Sequence, residues 1–369
     1  MDLQYVMPEL KFQPKTRKAK QEREDESECK TEENSDQKLQ KQDDQVKLMT
    51  YDQNSVIAYL ARKFPESYNI TARLIHEIKL KFPEFTPASI LDYGAGLSPT
   101  GHAFYEAFPE IELIFALEPN LYMKKLGKYM SKEIESFTWA QSIHETNYLG
   151  ESKKFDVVNC SFVLEELTSP EERLLVVETL FERTAENGFL TFVLPGSPMG
   201  FRFLNDIRER VIRKSRSEFN IIAPCPHHLE CPLAKSTKTW CRFEQNWPRF
   251  PKNVLPKVPE EHTLIQSRFC YLIIKKGPIV SSLDQIQTLE DQTLFWDRII
   301  KPTKKKGGHN IVTLCNSKGK IEQRIVARSH EPEFGYKESK FLKWGDLWKF
   351  PLRIPNKYRK EEKGGKKLF

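Results

Sequence analysis

The sequence lacks any apolar run that approaches the roughly 18 residues of a membrane span. Its longest apolar runs are strand-sized, such as 111–117, so we expect no membrane partner. We find no signal peptide, and the seven cysteines are an odd number. These absences argue against a secreted disulfide scaffold and favour a reducing compartment. What is present is a chain of 369 residues with a hydrophobic fraction of 39%, ample for a core.

Acidic residues are scarce in the later parts of the chain. Residues 51–200 carry 13 Lys and Arg against 21 Asp and Glu, whereas 201–260 carry 12 against 6 and 301–369 carry 19 against 7. Basic regions of this density attract polyanions. Four aromatic residues stand among the C-terminal cations: Trp344, Trp348, Phe350 and Tyr358. Because bases stack on aromatic rings and phosphates pair with cations, this composition favours RNA as a partner.

Apolar residues are also scarce in residues 1–50, which are acidic and rich in Gln. Such a segment cannot bury enough apolar surface to fold, so we predict that it is disordered. It is not a typical mitochondrial presequence, since it contains Glu9 and then an acidic run over 21–45. At the other end, residues 351–369 are predicted to form a basic tail.

Strand-like and helix-like segments alternate over residues 51–285, which predicts a Rossmann-like α/β domain with a parallel, doubly wound sheet. Helical spacing predicts a first helix over 54–80 with a break near Pro65. The predicted strands cover 88–92, 111–118, 155–160, 188–196 and 267–274. The predicted helices between them cover 102–108, 121–135 and 170–187, the last ending at Asn187 and Gly188.

Two segments depart from this alternation. A cysteine-rich insertion at 220–250 interrupts it, and residues 286–350 are predicted to form a small basic β-rich extension. Within the extension, 310–329 reads as a hairpin with its turn at 316–319.

A glycine turn follows the first predicted strand, with Asp92, Gly94 and Gly96, and Glu118 ends the second strand. Glycines let backbone amides approach a ligand, and an acid after strand two receives ribose hydroxyls. The third glycine of the dinucleotide fingerprint is missing, so the pattern resembles the S-adenosylmethionine site of class I methyltransferases better than an NAD site. Methyl transfer has less support, because 159–162 does not match the Asn/Asp-Pro-Pro-aromatic motif of many amino-methylating enzymes. An empty pocket stays open as the alternative.

Three cysteines lie in one proline-punctuated stretch with the spacing C-x5-C-x9-C: Cys225, Cys231 and Cys241. Thiols placed this way on loop-type sequence suit a metal or iron–sulfur centre, whose ligands must converge on one point. His227 or His228 can replace a cysteine in a zinc site, so zinc and a cluster both stay open.

A fourth ligand must come from elsewhere in the chain. Cys29 lies in the predicted disordered segment, and Cys160 and Cys270 lie in predicted strands, where packing explains them. Cys315 comes directly before a turn and can present its thiol to a neighbouring loop.

Three features together resemble a known family. They are the entry from 59–65 to the glycine turn at 90–96, the cysteine block from Ala223 to Phe243, and the hairpin that carries Cys315. From about residue 52 to 350 the chain resembles the methyltransferase-like assembly factors of the mitochondrial small ribosomal subunit. The resemblance implies a class I methyltransferase sheet that holds a four-cysteine 4Fe–4S cluster. Carried over by position, the cluster ligands are Cys225, Cys231, Cys241 and Cys315.

The same resemblance implies what the protein binds. Asp92, Gly94, Gly96 and Glu118 would line a pocket for S-adenosylmethionine, with methyl transfer in doubt. The implied partners are small-subunit rRNA and proteins of the mitochondrial small ribosomal subunit, in the mitochondrial matrix, and we expect a monomer. The alternatives are an active S-adenosylmethionine-dependent rRNA methyltransferase, a stable ribosomal component, and a zinc-dependent nucleic-acid-binding module.

A centre with these ligands would join the basic insertion to the basic extension. We therefore expect the cysteine centre to act as a cross-link that supports an RNA-facing surface. The cations expected on that surface are Arg242, Lys304, Lys305, Lys306, Lys318 and Lys320.

Overall fold

The computed structural model describes residues 51–149, 153–214, 218–248, 264–279, 288–329 and 333–349. The predicted disordered N-terminus and the predicted basic tail lie outside these residues. None of the helices within the described ranges is both long and apolar enough to cross a membrane.

The first helix, α1 (Gln53–Lys81), runs without interruption through Pro65, so the predicted break is wrong. A capping box at Asp52 begins it. A proline inside a helix removes a hydrogen bond and costs about 3 kcal/mol. Leu74 and Ile78 are buried against the sheet, and tertiary packing of this kind supplies most of the stability of a helix. Burial of the second half of α1 therefore offsets the proline.

The large sheet has eight strands in the described part of the chain. They are β1 (Ser89–Tyr93), β2 (Leu113–Leu117), β3 (Phe137–Ala140), β4 (Phe155–Ser161), β5 (Thr184–Pro195), β6 (Phe219–Ala223), β7 (Phe243–Pro248) and β8 (Leu264–Lys276). Their order is β3-β2-β1-β4-β5-β8-β6, and β7 pairs with β8. The first five strands pair in parallel, whereas β8 is antiparallel to its neighbours. The predicted α/β fold with a mostly parallel sheet is confirmed.

Helices cover both faces of this sheet. They are α2 (Pro99–Ala107), α3 (Leu121–Met130), α4 (Pro170–Arg183) and α5 (Pro198–Arg213), in addition to α1. Leu180 of α4 and Leu204 of α5 pack with one face of the sheet, and α1 and α2 pack with the other. Strands buried on both faces read as near-continuous apolar runs, which is why β1, β2, β4 and β5 stand out in the sequence.

Two element boundaries differ from the prediction. Helix α4 ends at Arg183 and not at Asn187, because Thr184 pairs with Phe155 and starts β5. The cysteine-rich segment is also not entirely loop, since β6 and β7 flank it and both pair with β8. The cysteine loop is therefore anchored to the large sheet at both ends.

A second sheet of four strands follows. It contains β9 (Asp297–Lys306), β10 (His309–Cys315), β11 (Ile321–Ala327) and β12 (Leu347–Trp348), in the order β11-β10-β9-β12. Strands β10 and β11 form the predicted hairpin. Two short helices accompany it, α6 (Leu289–Thr293) and α7 (Glu333–Ser339). The buried core of this sheet consists of Ile299, Val312, Leu314, Val326 and Trp348.

Candidate functional site

A pocket lies beside the ends of β1, β2 and β4, where the strand order of the large sheet reverses. Doubly wound sheets bind ligands at such a switch point. Gly94 and Gly96 line the pocket with φ values of 69° and 59°, in the left-handed region that favours glycine. A Cβ at Gly94 would collide with Val163, and one at Gly96 would lie 2.9 Å from the Tyr59 hydroxyl. The turn therefore requires glycine at both positions.

Glu118 lines the same pocket and is held by backbone amides. Its carboxylate accepts one hydrogen bond from the Gly96 amide and one from the Asn120 amide, both at 2.7 Å. Burial raises the pKa of Glu118, although these two hydrogen bonds act to lower it. The acid expected to receive ribose hydroxyls thus also fixes the glycine turn.

Asp92 is placed differently from the other three predicted cofactor residues. It is 2% exposed and is not among the residues that line the pocket. Its carboxylate accepts hydrogen bonds from the Ser98 hydroxyl at 2.7 Å and from the Asn159 side-chain amide at 2.8 Å. The Asn159 carbonyl in turn accepts from the Thr191 hydroxyl at 2.9 Å. Asp92 and Asn159 therefore link β1, β4 and β5 through side-chain hydrogen bonds and do not line the pocket.

Two further acids, Glu165 and Glu166, line the pocket and were not predicted from the sequence. Burial and then the neighbouring Glu166 raise the pKa of Glu165 to about 7, although Lys63 acts to lower it. Burial and then Glu118 raise the pKa of Glu166. Their position shortly after a parallel strand was the available signal, because ligands bind at the carboxyl ends of such strands. With Glu118 they give the described lining of the pocket three carboxylates against one cation, Lys63.

A second cavity is lined by all four predicted cysteine ligands: Cys225, Cys231, Cys241 and Cys315. The first two lie in the loop after β6, the third lies just before β7, and the fourth ends β10. The cavity therefore sits where the cysteine loop meets the small sheet.

The other cysteines take different positions. Cys270 of β8 also lines this cavity, and its thiol donates to the Cys241 carbonyl oxygen at 3.1 Å. Cys160 is buried in the core of the large sheet. Cys29 lies outside the described residues.

The thiols around the cavity share one environment. Burial, followed by the effect of Cys225, raises the pKa of Cys231 to about 11. The same two causes raise the pKa of Cys241 and that of Cys315 further. Arg208 acts to lower the pKa of Cys231 and Cys315, but burial and the neighbouring thiols outweigh it.

The two histidines of the cysteine loop face different neighbours. His227 is 5% exposed, and its Nε2 lies 3.4 Å from the Cys315 sulfur. Burial and then Arg208 lower the pKa of His227 to about 4. His228 places its Nε2 3.1 Å from the Ile221 carbonyl oxygen. Across the described ranges, no group of three or more His, Cys, Asp or Glu side chains is arranged to hold a metal ion.

A buried ion pair fixes the surroundings of the cavity. Arg298 of β9 is 2% exposed and pairs with Glu77 of α1 at 2.5 Å. It also donates to the carbonyl oxygens of Pro224 and Gly345, at 3.0 and 2.6 Å. Burial raises the pKa of Glu77, but Arg298 outweighs it and the pKa falls to about 2. One side chain thus joins α1, the cysteine loop and the small sheet.

The lysines expected to face RNA fall into two groups. Lys318 and Lys320 lie in the turn between β10 and β11, directly after Cys315. Lys304, Lys305 and Lys306 lie at the other end of β9, opposite the start of β10. The length of β10 separates the groups by about 20 Å, at roughly 3.3 Å per residue.

Aromatic rings lie beside two of the cations expected to face RNA, Arg242 and Lys305. The Arg242 guanidinium lies 5.1 Å from the ring centre of Trp240 and 5.3 Å from that of Trp344. Beyond the small sheet's other end, the Lys305 ammonium lies 6.0 Å from the ring centre of Phe341. The side chain of Phe341 is 77% exposed. The exposed Phe341 ring offers a flat apolar surface beside positive charge.

Comparison with known proteins adds a family. The family described as "Mitochondrial small ribosomal subunit Rsm22" matches residues 53–349, well over half of the chain. The human "Ribosome assembly protein METTL17, mitochondrial" is 26% identical over 322 residues, which cover 84% of this chain and 65% of that protein. The Schizosaccharomyces pombe "Rsm22-cox11 tandem protein 2, mitochondrial" is 27% identical over 341 residues, covering 84% and 44%. The chain therefore spans less than two thirds of the length of these curated relatives.

Among solved structures, the N-methyltransferase NodS from Bradyrhizobium japonicum WM9, in complex with S-adenosyl-L-homocysteine, is 12% identical. The match covers 61% of this chain and 98% of that one, with a TM-score of 0.36. A similarity this remote says nothing about activity, and the fold follows from the strand order described above.

Proposed function

Because the chain belongs to the Rsm22 family, we propose that it is an assembly factor of the mitochondrial small ribosomal subunit and that it binds small-subunit rRNA in the matrix. The match over residues 53–349 carries this proposal. The human relative's name as a ribosome assembly protein agrees with it. The basic small sheet, with the exposed Phe341 ring beside Lys305, has the chemistry that RNA binding needs.

The same proposal assigns a 4Fe–4S cluster to Cys225, Cys231, Cys241 and Cys315. Four thiols that line one cavity are a donor set suited to an iron–sulfur cluster. A single zinc ion held by the same thiols, or with a histidine in place of one of them, is the alternative. When bound, the cluster supplies a cross-link between chain segments. The cysteine loop and β10 contribute its ligands, so their relative position would depend on it.

The acidic pocket is proposed to bind S-adenosylmethionine, through the backbone of Gly94 and Gly96 and the carboxylate of Glu118. Three carboxylates around the pocket favour the cationic sulfonium of this ligand. Methyl transfer is not proposed as the main role. The side-chain amide of Asn159 is hydrogen-bonded to Asp92, and the residue is 2% exposed. It is therefore not accessible to a substrate nitrogen.

Gradient sedimentation of mitochondrial ribosomes tests the assembly role. We expect the protein to sediment with immature small subunits, and its loss to lower the ratio of mature small to large subunits. Equal association with mature subunits would instead identify a stable ribosomal component. Incubation with labelled S-adenosylmethionine and small-subunit rRNA tests the enzymatic alternative, which stoichiometric methyl incorporation would establish.

Metal analysis of anaerobically purified protein tests the cluster. We expect iron and acid-labile sulfide with a brown absorbance spectrum. A colourless protein with one bound zinc would overturn the cluster and favour the zinc-dependent nucleic-acid-binding module.

A further inference from the structure

One buried cation beside the cysteine cavity has incomplete hydrogen bonding. Arg208 of α5 is 3% exposed and lines the cavity. Its Nη2 donates to the carbonyl oxygens of His227 and Leu229, at 3.2 and 2.5 Å. Its Nε and Nη1 are buried as well, and neither has a hydrogen-bond partner within the part of the chain that the structure describes.

The cavity offers no acid to balance this charge. Among the described residues, its lining includes two guanidinium groups, Arg208 and Arg298, and no Asp or Glu. Arg298 is paired with Glu77, whose carboxylate balances its charge. No ion pair joins Arg208 to a carboxylate of the described residues. An unpaired buried charge is strongly unfavourable, so Arg208 requires a negative partner, and no carboxylate in the described lining supplies one.

The thiols of the cavity are the remaining candidates for that partner. Burial lowers the pKa of Arg208, but Cys225 and then Cys231 act to raise it by more. A set of four thiolates around a cluster carries excess negative charge, and hydrogen bonds to the cluster's sulfurs and its net charge set its reduction potential. Arg208, with its two free donors, lines the same cavity as the four thiols, where negative charge would develop.

We propose that Arg208 is the counter-ion of the four-cysteine centre: its guanidinium offsets the charge of the thiolates and donates hydrogen bonds to their sulfurs. The inference rests on the proposed cluster and gives it a partner on α5, outside the cysteine loop and the small sheet. Arg208 is a positioning residue, since it acts on the centre through the thiolates. We expect Arg208 to make the cluster easier to reduce and to slow its loss from the protein.

Two substitutions separate the charge of Arg208 from its packing. Arg208→Gln removes the charge and keeps a polar side chain, whereas Arg208→Lys keeps the charge without the planar fork of donors. Arg213→Gln is the matched control, because it lies on the same helix with its side chain 79% exposed. Each anaerobically purified variant is compared for folding by circular dichroism, iron and sulfide content, reduction potential, and rate of cluster loss to a chelator.

We expect Arg208→Gln to shift the reduction potential to more negative values and to speed cluster loss about tenfold, whereas Arg208→Lys recovers part of both and Arg213→Gln behaves as wild type. If Arg208→Gln folds but takes up no iron, recovery of iron by Arg208→Lys supports the proposal in the same way. Potentials and loss rates of Arg208→Gln equal to wild type would overturn it, and so would Arg208→Lys as impaired as Arg208→Gln. Wild-type protein without iron overturns the cluster itself, which is a separate outcome.

Discussion

Asp92 and Glu118 end neighbouring strands, yet their carboxylates face different surroundings. Glu118 lines the pocket and holds the glycine turn through the Gly96 amide. The Asp92 carboxylate instead accepts hydrogen bonds from the side chains of Ser98 and Asn159. Their positions in the chain predicted similar roles for the two acids. The hydrogen bonds that distinguish them depend on Asn159, which lies 67 positions away.

The pocket acids predict a pH dependence of ligand binding. The pKa of Glu165 is raised to about 7, so its negative charge is present above that pH and is lost below it. Because S-adenosylmethionine carries a sulfonium cation, we expect its affinity to fall severalfold between pH 8 and pH 6. Isothermal titration calorimetry measures this directly.

Glu165→Gln removes that titrating charge. We expect this variant to bind more weakly at pH 8 and to show a flatter pH profile. Glu171→Gln, at an exposed position in the first turn of α4, serves as the control. A pH profile of Glu165→Gln as steep as that of the wild type would contradict this assignment.

The buried pair of Glu77 and Arg298 predicts a large effect on stability. Glu77→Gln leaves the Arg298 charge without its carboxylate, which costs about 3–5 kcal/mol in the free energy of unfolding. Glu338→Gln breaks an exposed pair with Lys349 and should cost less than about 1 kcal/mol. Urea unfolding followed by circular dichroism compares the two, and equal costs would show that Arg298 does not depend on Glu77.

The same pair sets a pH window. The pKa of Glu77 is depressed in the folded protein to about 2, below its value in the unfolded chain. Its contribution is therefore complete above about pH 4.5 and is lost as the pH falls toward 2. Glu77→Gln should lack that part of the acid sensitivity.

At the scale of elements, the sequence predicted the strands buried on both faces and the hairpin of β10 and β11, but not strands such as β7 and β9. Leu91 and Ile114 belong to apolar runs that identify β1 and β2. Strand β9 continues into Pro302 and a run of lysines, and β7 contains Glu244 and Asn246. These strands are held by pairing with β10 and β8, which local sequence does not encode.

At the candidate cysteine site, too, local sequence predicted some residues and not others. The spacing of Cys225, Cys231 and Cys241 predicted a centre from local sequence alone. Cys315 was reached through its place before a turn and through family resemblance. Arg208 could not be predicted, because an arginine on an amphipathic helix reads as a solvent-facing residue until the packing of α5 is known.

The exposed ring beyond the small sheet predicts an RNA contact. Phe341 stands beside Lys305, and stacking of a base on an aromatic ring contributes about 1–3 kcal/mol. We expect Phe341→Ala to weaken binding of small-subunit rRNA about tenfold or more in a filter-binding assay. Ile325→Ala, at a position 67% exposed on β11, should leave the affinity unchanged. Equal losses in the two variants would assign the effect to the fold of the small sheet.

At the scale of the whole molecule, two sheets meet at a cavity lined by cysteines. The large sheet provides the acidic pocket, and the small sheet provides lysines at both ends and an exposed aromatic ring beside Lys305. Arg298 already joins the two through Glu77 and Pro224. The cluster is therefore expected to set the position of the cysteine loop against β10, while the large sheet folds without it.

The proposal that the cluster supports the RNA-binding surface is tested by the affinity of Cys241→Ser for small-subunit rRNA. The variant is purified anaerobically beside wild type and Cys29→Ser, with iron content and circular dichroism recorded for each. We expect Cys241→Ser to lose its iron, to keep the spectrum of a folded α/β protein and to bind rRNA at least tenfold more weakly, whereas Cys29→Ser matches wild type. Full rRNA affinity in an iron-free, folded Cys241→Ser protein would contradict it.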